Sequence, residues 1–234
     1  MLEGFYKVRF QVNDAVGRSV MYAHAGKMLG GNSAFAHYGT YHEADGVVTS
    51  EITSHRHNED PTYKSLLGAD IATIDVKGSA DGEVYRFKGG SPQMPGAVFQ
   101  SVMTPIDDEI VAPVEAVGEG GILNGLYSIH IRMLDGIDGG LTGVMLLHDG
   151  RILGGDAFFY YLGTYTSANG RWKGQILNQE HTPAKGEHPI FGGHEVGIGF
   201  SGTCDGEGAL LDATALAGKR SLRLTAVLKL MRPA

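Results

Sequence analysis

The chain has 234 residues, a formal charge of −7 at pH 7 and only 19% charged residues, which argues against a general nucleic-acid binder with its basic patch or stripe. A single cysteine, Cys204, excludes an internal disulfide and suits a reducing compartment. No apolar run approaches the roughly 20 residues of a membrane helix, and the N-terminus lacks a signal-peptide core, so the expectation is a cytoplasmic protein with no membrane contact.

The first predicted strand places Tyr6, Val8, Phe10 and Val12 on one face and Lys7, Arg9 and Gln11 on the other. Such period-two alternation belongs to antiparallel sheet buried on one side. Ala25-Gly26 follows as a hairpin turn, then Asp45-Gly46 and Asp81-Gly82. Asp-Gly and Asn-Gly pairs tolerate the positive φ of the two-residue turns that suit strand twist. Between them, Gly30-Gly31 reads as a bulge or barrel corner. No phosphate-loop pattern accompanies these glycines.

The same plan then recurs. Gly26 to Tyr41 (GKMLGGNSAFAHYGTY) and Gly150 to Tyr165 (GRILGGDAFFYYLGTY) share eight of sixteen ungapped positions. At the same offset of 124, His57 matches His181 and GSADGE matches GTCDGE. Leu2 to Phe10 aligns with Leu123 to Ile131, and Asp149-Gly150, Asn169-Gly170 and Asp205-Gly206 repeat the turns. The last strand sets Leu222, Leu224, Ala226, Leu228 and Leu230 on one side. A period this long means two domains rather than a solenoid.

The expected organisation is residues 1–105, an exposed acidic linker over 106–121, and residues 122–234. Roughly eight strands per copy, with no convincing amphipathic helix, give the fold class: all-β, two tandem antiparallel up-and-down β-barrels. Eight strands enclose an interior that side chains just fill, or that holds one small ligand.

The pattern of Gly30-Gly31-Asn32 with Gly39-Thr40-Tyr41, repeated as Gly154-Gly155-Asp156 with Gly163-Thr164-Tyr165, resembles the GrlR-type negative regulators of type III secretion. The opening Gly4-Phe5-Tyr6 and Gly125-Leu126-Tyr127 add to that likeness. The resemblance implies a lipocalin-like (calycin) barrel and a homodimer that sequesters a transcriptional activator through alternating acidic residues on a loop. The matching loop here retains Glu43 and Asp45, with Thr166-Ser167-Ala168-Asn169 in the second copy. A tandem chain would build that dimer internally, with a homodimer of whole chains as a further option.

Candidate chemistry is sparse. His55 and His57 share one side of a strand, yet Gln179 replaces His55 in the second copy. His181, His188 and His194 beside Glu187 offer zinc-type ligands at spacings of seven and six, which fit no zinc motif. Cys204 sits beside acidic Asp205 and Glu207, the wrong setting for a reactive thiolate. Ordinary core packing accounts for the aromatics first, with an interface between copies or a cavity as alternatives. For a cavity the candidates are Tyr41, Tyr165, Phe35 and Phe159.

The composite expectation is a non-enzymatic binding protein without cofactor. It captures a protein partner through Glu43 and Asp45. The alternatives are a carrier of a small apolar ligand and, behind it, a metal-dependent enzyme at the three histidines.

Overall fold

The alternation folds as eight-strand meanders. A computed structural model describes residues 1–134, 140–184 and 195–234. In the first unit, Met1–Asp108, the strands are β1 (Gly4–Val12), β2 (Ala15–His24), β3 (Lys27–Gly31), β4 (Phe35–Ala44), β5 (Val47–Arg56), β6 (Ile71–Asp81), β7 (Val84–Ser91) and β8 (Met94–Ile106). Each pairs antiparallel with its successor, and β8 returns to β1 with Val8 opposite Met103. The second unit, Glu109–Ala234, repeats this with β9 (Gly125–Met133), β10 (Gly140–His148), β11 (Arg151–Gly155), β12 (Phe159–Ala168), β13 (Arg171–Glu180), β14 (Val196–Cys204), β15 (Gly208–Ala217) and β16 (Arg220–Pro233). It closes through β16 on β9. Closure satisfies the ladder all round and leaves no exposed sheet edge.

Local chemistry explains the connections. Ala25-Gly26, Asp45-Gly46, Asp149-Gly150 and Asn169-Gly170 all have positive φ at both residues, as their two-residue turns require. The third turn of each copy departs from that expectation. Asp81 ends β6 and Gly82 opens the turn. In the second copy Asp205 Oδ1 accepts the amides of Glu207 (2.8 Å) and Gly208 (2.9 Å), so a side chain shapes the turn.

The paired-glycine corner has a clear cause. A Cβ on Gly30 would lie 2.1 Å from the Val20 carbonyl oxygen, and one on Gly154 2.3 Å from that of Val144. The next residue makes an Asx turn: Asn32 Oδ1 accepts the amides of Ala34 and Phe35, and Asp156 Oδ1 those of Phe158 and Phe159. GG(N/D) is therefore an architectural signature.

The expected linker over 106–121 is corrected at both ends. Ile106 completes β8. Residues 116–122 are strapped to the β12–β13 hairpin by backbone bonds from Gly118 to Ser167, Ser167 to Ala116, Asn169 to Glu119 and Gly170 to Gly120. Ala116 and Ile122 are buried. The acidic composition masked this, because the strap works through backbone groups and two small apolar contacts.

Each barrel has its own core. In the second, Trp172 takes the position of Val48, tilts onto Phe200 at 4.5 Å between ring centroids, and meets Tyr165 edge-on. Its indole N–H donates to the Leu210 carbonyl at 3.0 Å.

Candidate functional site

Register assembles a continuous row inside the first barrel. Met21 lies opposite Gly30, Gly30 opposite His37, His37 opposite Ser54, and Ser54 opposite Ala72. Gly30 puts no side chain between Met21 and His37. The histidine is 8% exposed, and neither Nδ1 nor Nε2 has a hydrogen-bond partner. Its ring stands edge-on to Phe10 at 5.9 Å.

His37 borders a cavity of about 60 Å³. The walls come from all parts of the barrel: Val8 and Phe10, Ser19 and Met21, Met28, Ile52, Ile74 and Val76, Phe87, and Phe99, Ser101 and Met103. The surface is apolar apart from His37 and two serines. Burial pushes the imidazole down to about 4, and the nearby His57 adds to that effect. His37 is thus neutral at pH 7, with one donor and one acceptor unmet. An unsatisfied buried polar group costs about 1–3 kcal/mol, so its presence in an otherwise apolar chamber calls for a partner.

Both ends of this barrel carry buried side chains. At one end Leu2 is fully buried, and its amide donates to Glu43 Oε2 at 2.7 Å. Tyr41 donates to the Leu2 carbonyl at 2.6 Å, and Tyr6 to that of Glu3 at 2.8 Å. Burial pushes the Tyr6 phenol up to about 12. At the other end the 57–70 connection inserts Leu67 into the core. Arg56 fixes that connection through Asp70 (2.6 Å) and the carbonyls of Asn58 and Tyr63, with its guanidinium 4.6 Å from the Phe35 ring centre.

The second barrel builds the equivalent row differently. Tyr161 stands where the first copy has His37, and Asn178 where it has Ser54. Tyr161 donates to Asp156 Oδ2 at 3.2 Å, which supplies the partner that His37 lacks. Burial raises the Asp156 carboxyl above its ordinary range, against the pull of two amide donors and Tyr161. Asn178 Nδ2 has no hydrogen-bond partner.

The residues singled out from sequence fall elsewhere. Glu43 is committed to the Leu2 amide and lies 3.6 Å from the N-terminal ammonium, whereas Asp45 is an exposed turn residue. Tyr41 and Tyr165 cap barrel ends, Phe35 lies under Arg56, and Phe159 packs at the margin of the second core. Neither Tyr41 nor Phe35 lines the chamber of the first barrel. Tyr41, Tyr6 and Tyr127 donate instead to the backbone carbonyls of Leu2, Glu3 and Leu123.

The histidine pairs do not converge either. His55 meets the Tyr38 hydroxyl at 3.3 Å, while His57 Nε2 reaches the Asn32 carbonyl at 3.0 Å. His181 contacts Thr182 Oγ1 at 2.9 Å; His188 and His194 lie outside the described residues. Among the described residues no group of three or more His, Cys, Asp or Glu is placed to hold a metal. The Cys204 thiol is raised by burial and then by Asp205.

His37 escaped sequence reasoning although strand parity pointed to it. It sits two residues after Phe35 and four before Tyr41, on the inward phase, and Tyr161 marks the same phase in the other copy.

No family model matches the chain, and no curated protein matches it. Among solved structures, one titled a "putative outer membrane protein" from Bacteroides fragilis aligns over 97% of this chain and 96% of its own, at 10% identity and a TM-score of 0.26. A likeness at that level carries no argument about this protein. Among the described residues no helix is long and apolar enough to cross a membrane.

Proposed function

We propose that the first barrel is a non-enzymatic binding module that holds a small, mostly apolar molecule in its lumen. The observation that carries this reading is His37, buried on the wall of an apolar cavity with both ring nitrogens unmet. Small-molecule sites combine an apolar lining with a few placed polar groups, and this chamber has that composition. In the second barrel Tyr161, bonded to Asp156, stands at the position of His37, so the two copies present different polar groups there.

The calycin-like and GrlR-type likeness is compatible with a lumen site but adds no residue to it. Sequestration of a protein partner through the acidic pair has less support, because Glu43 holds the Leu2 amide and leaves Asp45 alone at the turn.

Native mass spectrometry of the full chain, with a fragment screen read on the methyl groups of Met21, Met28 and Met103, tests the proposal. A bound mass or fragment that shifts those methyls, and is displaced when Ser101→Leu fills the chamber, supports it. An adduct-free spectrum with the three methyls unmoved throughout the screen refutes it.

A further inference from the structure

We infer that the ligand of the first lumen is a neutral, compact hydroxyl compound, a short-chain alcohol whose O–H docks on His37; this rests on the lumen-binding reading above.

Size sets the first limit. A cavity of about 60 Å³ accommodates roughly two or three non-hydrogen atoms, on the scale of an apolar cavity of about 150 Å³ that holds benzene. Fatty acids, haem and flavins are far too large. The apolar walls set the second limit. An ion entering among Met28, Ile52, Ile74 and Phe87 would lose its hydration with no opposite charge lining the chamber.

The polar anchor sets the third. Neutral imidazole offers one N–H donor and one bare nitrogen acceptor, and both of these atoms in His37 are unmet. A carbonyl serves only the donor and an amine serves the acceptor best. A hydroxyl both donates and accepts, so it satisfies whichever nitrogen it reaches in either tautomer. Phe10, edge-on to the imidazole, and Phe99, stacked 6.0 Å from Phe10, provide a flat apolar bed for the rest of the molecule.

Ethanol and propane are matched probes that differ in the hydroxyl. Each is titrated into the full chain carrying ¹³C-methyl methionine, with intermolecular NOEs to Met21, Met28 and Met103 locating the site. The alcohol should bind roughly tenfold more tightly than the hydrocarbon, the worth of one net hydrogen bond. His37→Phe should erase the difference by weakening the alcohol alone, and His37→Gln, which keeps a donor and an acceptor, should preserve it. Equal binding of the two probes to the natural chain overturns the hydroxyl inference while leaving lumen binding intact. Binding of neither probe, with all three methyls unmoved, overturns the hydroxyl inference and counts against the lumen reading as well.

Discussion

The amide of Leu2 donates to the carboxylate of Glu43 at 2.7 Å, and the amide of Ile122 donates to Ser167 Oγ at 3.1 Å. Glu43 and Ser167 are the same position of the two copies, and Leu2 and Ile122 are the buried plugs of their respective barrels. A carboxylate in one copy and a hydroxyl in the other thus perform one task.

Glu43→Ala should therefore destabilise the first barrel by about 1.5 kcal/mol, the scale of a hydrogen bond to a charged acceptor, whereas Glu43→Gln should cost less. Trp172 is the single tryptophan and is buried in the second barrel, so its fluorescence reports that barrel alone. Denaturation followed by far-UV circular dichroism should show the loss and the tryptophan transition should not move. A shifted tryptophan midpoint would place Glu43 in some other role.

His37 makes the first barrel acid-sensitive. Its pKa falls from 6.5 in the free side chain to about 4 in the folded protein. Between those values the unfolded chain binds a proton that the folded barrel refuses, so stability is full above pH 6.5 and declines as pH falls towards 4. The total is roughly 3 kcal/mol. His37→Phe should remove that part of the acid dependence, measured as the difference in unfolding free energy between pH 7 and about pH 4.5. Identical acid sensitivity in the variant would contradict the burial of the ring.

Asp156 carries the opposite sign. Its folded pKa is raised by burial, so stability is full below the ordinary carboxyl value and is lost as pH rises from there through the folded value, and the second barrel is held back at neutral pH. Asn32, its counterpart, makes the same Asx turn without a charge. Asp156→Asn should raise the tryptophan-detected midpoint at pH 7 and leave it little changed in acid. A lower midpoint at pH 7 would show that the carboxylate, rather than the turn geometry, holds the corner.

Trp172→Val copies the first barrel's residue into the second. Removing an indole that lies on Phe200 and Tyr165 should cost about 3 kcal/mol, as large-to-small core changes do when the site cannot collapse. Calorimetry checks it; a loss below about 1 kcal/mol would mean that the barrel end closes in around the smaller side chain.

The barrels were legible because their signals are local and doubled. Alternation at Tyr6, Val8 and Phe10, and the Gly pairs at residues 25–26, 45–46, 149–150 and 169–170, each specify a piece of hairpin without reference to the rest. The site was not legible for the opposite reason. His37 becomes notable only when Phe10, from a strand 27 residues earlier, and Gly30 and Ser54, its neighbours across the sheet, are brought beside it. For the acidic pair, charge alone gives no sign that Glu43 accepts the Leu2 amide. The plug register was also missed: a one-residue insertion before β9 makes Ile122, and not Leu123, the counterpart of Leu2.

Arg56 grips the 57–70 connection through Asp70, Asn58 and Tyr63, while the opposite mouth is stoppered by Leu2. A guest can pass no hydrogen-bonded wall, so its route in or out of the lumen runs through one of these two ends. Residence time would then follow the opening frequency of a segment held by the Arg56 guanidinium and by the bonds of His57 and Asn58 to Ala34, and loosening Arg56 should quicken exchange without touching a single atom of the chamber.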